Sequence, residues 1–336
     1  MKSSSIRSAQ AVKDDLSFPV IFYNPAMGGL TDWNTFLVEE LVSHGYIVFA
    51  IAHSFESFKV ELESAGTVYL DIGLPADVPF TQQEMTDLAG VSNSILAMSD
   101  HEYRTRLMTL IYGLVDHVKA VEDKQQRLDF AQTLLPEFEA LQLNLSAEDL
   151  LRVALARWFA DLSIESWVKD TQFVADQLLL ANYPVDLRAS MDADRIGVMG
   201  MSYGGAAAGE FCKVDSRCKA GANLDGTQFG SHWKAPLLSP FLVMYSATYR
   251  NQNDFAYSGS DGLYSVVVQG AEHTDFSDVP YFLPSLQLLG VLGPIGGQRM
   301  VEVLNSVLLS FFDEHLRGFS SFRETVAGIQ EVQESH

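Results

Sequence analysis

The segment Gly200-Met201-Ser202-Tyr203-Gly204 sets a serine hydroxyl between two glycines, each two residues away. A hydroxyl becomes a competent nucleophile when a base takes its proton, and that base needs a carboxylate to fix its tautomer and stabilise the imidazolium. Five letters alone arise often by chance. Here residues 195–200 read as a strand, and Gly205-Ala206-Ala207-Ala208-Gly209-Glu210 reads as the opening of a small-residue helix. Strand, tight turn and helix together form the strained elbow that exposes a nucleophile, and only small neighbours fit around it.

His273 is the best-placed base: it follows the last expected strand, in Gln269-Gly270-Ala271-Glu272-His273-Thr274-Asp275, at the carboxyl edge where open α/β sheets keep their sites. His44, His101, His117 and His315 lie in helical patterns and His336 is terminal. His53 and His232 sit in loops, where they read as packing or surface residues that could line a pocket. Two acids compete for the third role. Asp225 directly follows the strand 220–224, whereas Asp254 hangs beyond strand 241–245 in the polar stretch Arg250-Asn251-Gln252-Asn253. A residue at the strand end reaches the site with little backbone freedom, which favours Asp225 and leaves Asp254 as a turn residue. Glu272, Asp275 and Asp278 read as solvated loop charge. Oxyanion donors are expected from the N–H after the nucleophile, Tyr203, and from Met27 in the glycine-rich turn Asn24-Pro25-Ala26-Met27-Gly28-Gly29.

These residues need a scaffold that carries them to one edge. Short apolar runs at 18–23, 46–52, 195–200, 220–224, 241–245 and 264–269 read as strands. Helical patterns at 32–44, 171–181, 203–213 and 298–317 separate most of them. That alternation implies a mostly parallel sheet covered on both faces. More than a hundred residues lie between the second and third strands, too many for a loop, and they read as a helical insertion. Thr81 to Glu84 and Ser146 to Asp149 have capping-box spacing, Tyr103 to Val121 and Leu151 to Leu162 carry apolar stripes, and 60–62 with 67–70 suggest a hairpin. The expected division is a core of 1–77 and 166–336 with a cap of 78–165.

The chain has 336 residues, 47% of them hydrophobic, and 43 acidic against 22 basic side chains, a net charge of −21. That balance opposes nucleic acid and anionic surfaces as partners. The uncharged stretch 279–298 has the length of a membrane span, but Pro280, Pro284, Pro294 and four glycines break it, so no transmembrane segment is expected and a buried core loop is favoured over a lipid-docking surface. Cys212 and Cys218 read as two free thiols, with a small local disulfide as the alternative. No apolar segment follows the basic start, which reads as a cytoplasmic chain, or as a secreted or periplasmic one whose leader lies outside this sequence. A dinucleotide fingerprint and a P-loop lysine are both missing, and the chemistry calls for neither cofactor nor metal. A homo-oligomer fits as well as a monomer.

Together, 18–23, Leu41-Val42-Ser43-His44-Gly45-Tyr46-Ile47-Val48, the elbow with Gly205, Leu224-Asp225-Gly226 and the His273 loop resemble the α/β-hydrolase superfamily, and within it the platelet-activating-factor acetylhydrolase and dienelactone-hydrolase-related esterases. The resemblance runs from 18 to about 318 outside the insertion. It implies an α/β-hydrolase fold with a helical cap and a serine carboxylic-ester hydrolase working through Ser202, His273 and Asp225. The expected substrates are apolar short-to-medium acyl or lipid-like esters. A dienelactone-type or thioester hydrolase is the alternative, and a non-catalytic hydrolase-fold binding protein the second. In that family the acid follows the strand right after the nucleophile strand, as Asp225 does. The sequence departs from the family's His-Gly-x-Gly oxyanion loop, with Pro25-Ala26-Met27-Gly28 in its place. Only 17 residues precede the first strand, so the sheet is expected to lose an edge, which the 60–70 hairpin could cover.

Overall fold

In the computed structural model the described residues are 16–62, 66–71, 101–179, 188–257 and 259–335. Strand β1 (Phe18–Asn24) is followed by helix α1 (Thr35–Ser43) and β2 (Ile47–Ala50), then by a hairpin of β3 (Lys59–Leu62) and β4 (Gly66–Tyr69). Helices α2 (His101–Ala120), α3 (Lys124–Ala140) and α4 (Ala147–Leu179) form the insertion. The chain then runs through β5 (Met191–Met201), α5 (Tyr203–Val214), β6 (Cys218–Leu224), β7 (Phe241–Ser246) and β8 (Leu263–Val268) to α6 (Gly297–Arg317), α7 (Phe322–Gly328) and β9 (Val332–Glu334).

Among the described residues seven strands form one sheet in the order β2-β1-β5-β6-β7-β8-β9. All neighbours are parallel except β8 and β9. Alternation along the strands divides the core in two. Val20 and Phe22 of β1, with Phe241, Val243 and Tyr245 of β7, face α5 and the insertion helices. Ile21 and Tyr23, with Leu242 and Met244, face α1, α6 and α7. A strand apolar on both sides must be covered on both sides, which is why these runs show no polar alternation in sequence. On α6, Met300, Val303, Leu304, Val307, Leu308, Phe311 and Phe312 are buried, each worth about 1.5–3 kcal/mol.

Several expectations need correction. The hairpin forms, but β3 and β4 make a separate two-stranded sheet. It does not cover an edge; Leu70, just beyond it, packs instead toward Gly28. The turn of the hairpin at 63–65 and the capping box at Thr81 lie outside the described residues, whereas the box at Ser146 is present: Asp149 N–H donates to Ser146 Oγ at 3.1 Å and Ser146 N–H to Asp149 Oδ2 at 3.1 Å. Helix α4 runs unbroken through residue 165, where the sequence suggested a domain edge. Cys212 and Cys218 are joined in a disulfide, with Cα atoms 5.2 Å apart, because the end of α5 folds back onto the start of β6. The stretch 279–298 is not a core loop. Pro280 and Leu292 are buried, but Leu288 is 90% and Leu289 75% exposed, since the turn at Val279–Phe282 buries only Pro280 and the turn at Pro284–Leu289 buries no side chain. Among the described residues no helix is long and apolar enough to cross a membrane.

Candidate active site

Strand β5 delivers Ser202 into a backbone conformation (φ 57°, ψ −120°) that residues with a side chain rarely adopt. The flanking glycines are required by contact. A Cβ on Gly200 would lie 2.2 Å from the Gly204 carbonyl group, and one on Gly204 would lie 2.1 Å from Asn24 O. The elbow therefore packs directly against the end of β1, bringing the start of α5 beside the turn that carries Met27.

The structure brings His273 and both of its expected partners together. Nε2 of His273 lies 2.9 Å from Ser202 Oγ, and Nδ1 lies 2.8 Å from Asp225 Oδ2. A neutral ring with its proton on Nδ1 donates to Asp225 and accepts from the serine hydroxyl, the arrangement that proton removal needs. Asp225 is completely buried, which pushes its carboxyl up, against the opposing pull of His273 and two donors from Ser246. Those are the Ser246 N–H to Oδ1 at 2.6 Å and the Ser246 hydroxyl to Oδ2 at 3.0 Å. Asp254 instead opens a short helix at Asp254–Tyr257. His53 is buried against Asp170 and Asn24, and His232 lies against Glu210. Neither is bonded to Ser202.

The histidine loop is held from inside. His273–Phe276 is a single 3-10 turn closed by a capping box between Glu272 and Asp275. Asp275 Oδ2 accepts the N–H of Glu272 and of Gly293, each at 2.7 Å. Burial pushes the Asp275 carboxyl up while these donors pull it down. Asp278 is also buried, accepts from Phe36 N–H at 3.3 Å, and is pushed up to about 6. The expectation of solvated charge fails for both, because the 270–278 loop folds under α1 and the 279–298 segment. The ring of Tyr249 meets His273 edge-on at 5.4 Å.

Tyr203 is the first residue of α5, so its N–H has no partner within the helix. Its hydroxyl donates to Ala160 O on α4 at 2.8 Å. Met27 is partly exposed in a turn closed by the Gly29 N–H to Ala26 O bond at 2.8 Å. Among the described residues no group of three side chains could hold a metal ion.

Residues 163–334, about half of the chain, match the family model described as platelet-activating factor acetylhydrolase, isoform II. The chain belongs to this family. A curated relative, the platelet-activating factor acetylhydrolase of Cavia porcellus, is 21% identical over 333 residues, covering 95% of this chain and 63% of that protein. The chain thus spans less than two thirds of that relative's length. Among solved structures, a ferulic acid esterase from Streptomyces cinnamoneus is similar at a TM-score of 0.60 and 22% identity, covering 96% of this chain and 74% of that one. The shared architecture is the α/β-hydrolase fold, and the family match contains Ser202, Asp225 and His273.

Two residues of this acetylhydrolase-family chain escape sequence reasoning. Ser246 carries a faint signal, as the first polar residue after the apolar run 241–245 in the strand next to Asp225. Glu56, whose carbonyl accepts the Gly28 N–H at 2.7 Å, carries none.

Proposed function

We propose that the chain is a serine carboxylic-ester hydrolase. The observation that carries this reading is the imidazole of His273, 2.9 Å from the Ser202 hydroxyl and 2.8 Å from the buried Asp225 carboxylate. Ser202 Oγ attacks the ester carbonyl while His273 Nε2 takes its proton. The oxyanion is met by the N–H groups of Tyr203 and Met27. Collapse expels the alcohol, which takes the proton back from His273, and leaves an acyl-enzyme. Water then repeats the sequence with His273 again as base. Asp225 stays ionised throughout and steadies the imidazolium.

The substrate class is an apolar short-to-medium acyl or lipid-like ester. Supporting this are the acetyl specificity in the relative's name and the apolar side chains of Phe282, Leu283, Leu288 and Leu289, which stand exposed on the segment following the His273 loop. The Cys212–Cys218 bond favours an oxidising compartment over the cytosol.

The test is hydrolysis of a p-nitrophenyl ester series from acetate upward, with fluorophosphonate labelling. Ser202→Ala should abolish both turnover and labelling. Turnover retained by that variant overturns the mechanism, and a wild-type chain that neither turns over nor labels is a binding protein on this fold.

A further inference from the structure

The turn that must present the Met27 N–H reads Pro25-Ala26-Met27-Gly28-Gly29, so none of its side chains can form a conventional hydrogen bond. Its shape has to be imposed from outside, through its backbone. Two of the bonds that do this come from one neighbour. Gly28 N–H donates to Glu56 O at 2.7 Å, and Gly29 O accepts from Phe58 N–H at 3.3 Å. Residues 53–57 form a closed helical turn, with the N–H groups of Glu56 and Ser57 both donating to His53 O.

That turn is fastened to the insertion by its side chains. Glu56 Oε2 accepts the Trp167 indole N–H at 2.6 Å, and Oε1 accepts the Ser163 hydroxyl. His53 stacks on Trp167, ring centroids 3.7 Å apart, and its Nδ1 lies 2.8 Å from Asp170 Oδ2. Its Nε2 lies 3.0 Å from the side-chain amide of Asn24, the residue that leads into the Met27 turn, and the Thr171 hydroxyl lies 3.1 Å from the same amide. Ser163, Trp167, Asp170 and Thr171 occupy i, i+4, i+7 and i+8 of α4, one face of one helix. A carboxylate spent on an indole N–H and a hydroxyl, between a helix and a turn without polar side chains, is a strut.

We propose that Glu56 is a positioning residue for acyl transfer, transmitting the rigidity of α4 to the Met27 N–H through its own carbonyl. The proposal rests on the reading of Met27 as an oxyanion donor. A donor displaced by about 1 Å costs on the order of a hundredfold, against roughly 10²–10³-fold for a donor removed.

The test compares wild type, Glu56→Ala and Glu56→Gln on p-nitrophenyl acetate, with active sites counted by fluorophosphonate titration. It adds the inhibition constant of an aliphatic trifluoromethyl ketone, whose carbonyl carbon bonds Ser202 Oγ and whose oxygen becomes the oxyanion as the serine proton passes to His273. Glu56→Ala should lose ten- to a hundredfold in kcat with KM within about threefold, and should weaken the ketone in parallel. Glu56→Gln, which can still accept the indole N–H, should stay within about threefold of wild type. A role in stability alone would lower the melting temperature and leave kcat per titrated site and the ketone constant unchanged, and that result overturns the proposal. If Glu56→Ala does not fold, Trp167→Phe removes the indole N–H and keeps a ring on His53; the same loss is expected, and unchanged kcat overturns the proposal. Failure of the parent reading is distinct, because it shows as a wild type without turnover or a Ser202→Ala variant that keeps it.

Discussion

Replacing Asp225 by Asn separates geometry from charge at the centre of the site. Asn has the same shape, and its Oδ1 can keep the 2.6 Å bond from Ser246 N–H. The atom facing His273 becomes an NH₂ group, where the carboxylate oxygen now sits 2.8 Å from Nδ1. Nδ1 must then accept, so the ring proton moves to Nε2 and points at Ser202 Oγ, which lies 2.9 Å away. The base can no longer take the serine proton. Loss of the working tautomer should lower kcat by about 10³–10⁴-fold, equivalent to about 4–5.5 kcal/mol of transition-state stabilisation. Stability should hold or rise, because burial already disfavours the charged form of Asp225 and the amide carries no charge to desolvate. The assay is p-nitrophenyl acetate turnover per folded molecule beside a thermal melt. A variant that stays within tenfold of wild type refutes the assignment, and a large loss in Asp254→Asn instead would move the acid to the strand end one further along.

Ser246→Ala removes the 3.0 Å hydroxyl bond to Asp225 and leaves the backbone N–H; kcat should fall about tenfold, and an unchanged value would make Ser246 a spectator. Asp278 has its pKa raised to about 6 from 3.8, so the native state binds this proton more tightly than the unfolded chain does. Its contribution is fully present below pH 3.8 and disappears as pH rises through 6, by about 3 kcal/mol before solvent screening reduces it. Asp278→Asn should flatten that slope in urea midpoints between pH 4 and 7, and parallel profiles would refute it. Reducing the Cys212–Cys218 bond, or Cys212→Ser, should cost about 2 kcal/mol, and unfolded protein should take up maleimide only after reduction. Labelling of both thiols without reductant would restore the free-thiol reading.

The readable parts of this site are those with local signatures. The elbow announces itself because steric contact with Asn24 and between Gly200 and Gly204 forces glycine into fixed positions. Asp225 announces itself by ending an apolar run. Strand β9, three residues long with two of them exposed, has too little apolar content to be read and pairs only at the sheet's antiparallel edge. Helix α4 keeps one face buried along most of its length, through Leu150, Ala154, Arg157, Asp161, Ile164, Val168, Thr171, Ala175 and Leu178, but three of these are polar, so the stripe reads in sequence as separate pieces. Asp275, Asp278 and Glu56 look like ordinary surface acids, since their partners are backbone N–H groups or residues far away in sequence, and such partners leave no spacing to detect. The apolar stretch 279–298 misleads in the opposite sense: its composition argues for the core, while its prolines and glycines break it into turns too short to bury both sides.

Ser202 and Asp225 share an uncommon feature that links the fold to the chemistry: both are non-glycine residues with φ of 57°, at the ends of adjacent strands. Each such residue costs on the order of 1–3 kcal/mol and persists only where its surroundings hold it. Here the holding is stepwise across the sheet. Ser202 N–H donates to Leu224 O at 2.8 Å, Asp225 N–H donates to Met244 O at 2.8 Å, and Ser246 N–H donates to Asp225 Oδ1 at 2.6 Å. Each strand end is pinned by the next strand over, so the conformation of Ser202 depends on the strand that carries Asp225, and that of Asp225 on the strand beyond it. The parallel ladder of β5, β6 and β7 thereby sets the stagger of Ser202, Asp225 and Ser246, and His273 needs only one loop, anchored by Asp275, to reach between the first two. The apolar strand runs and the polar site are for that reason one structure, because the same ladder that buries the strands sets the side chains at their ends.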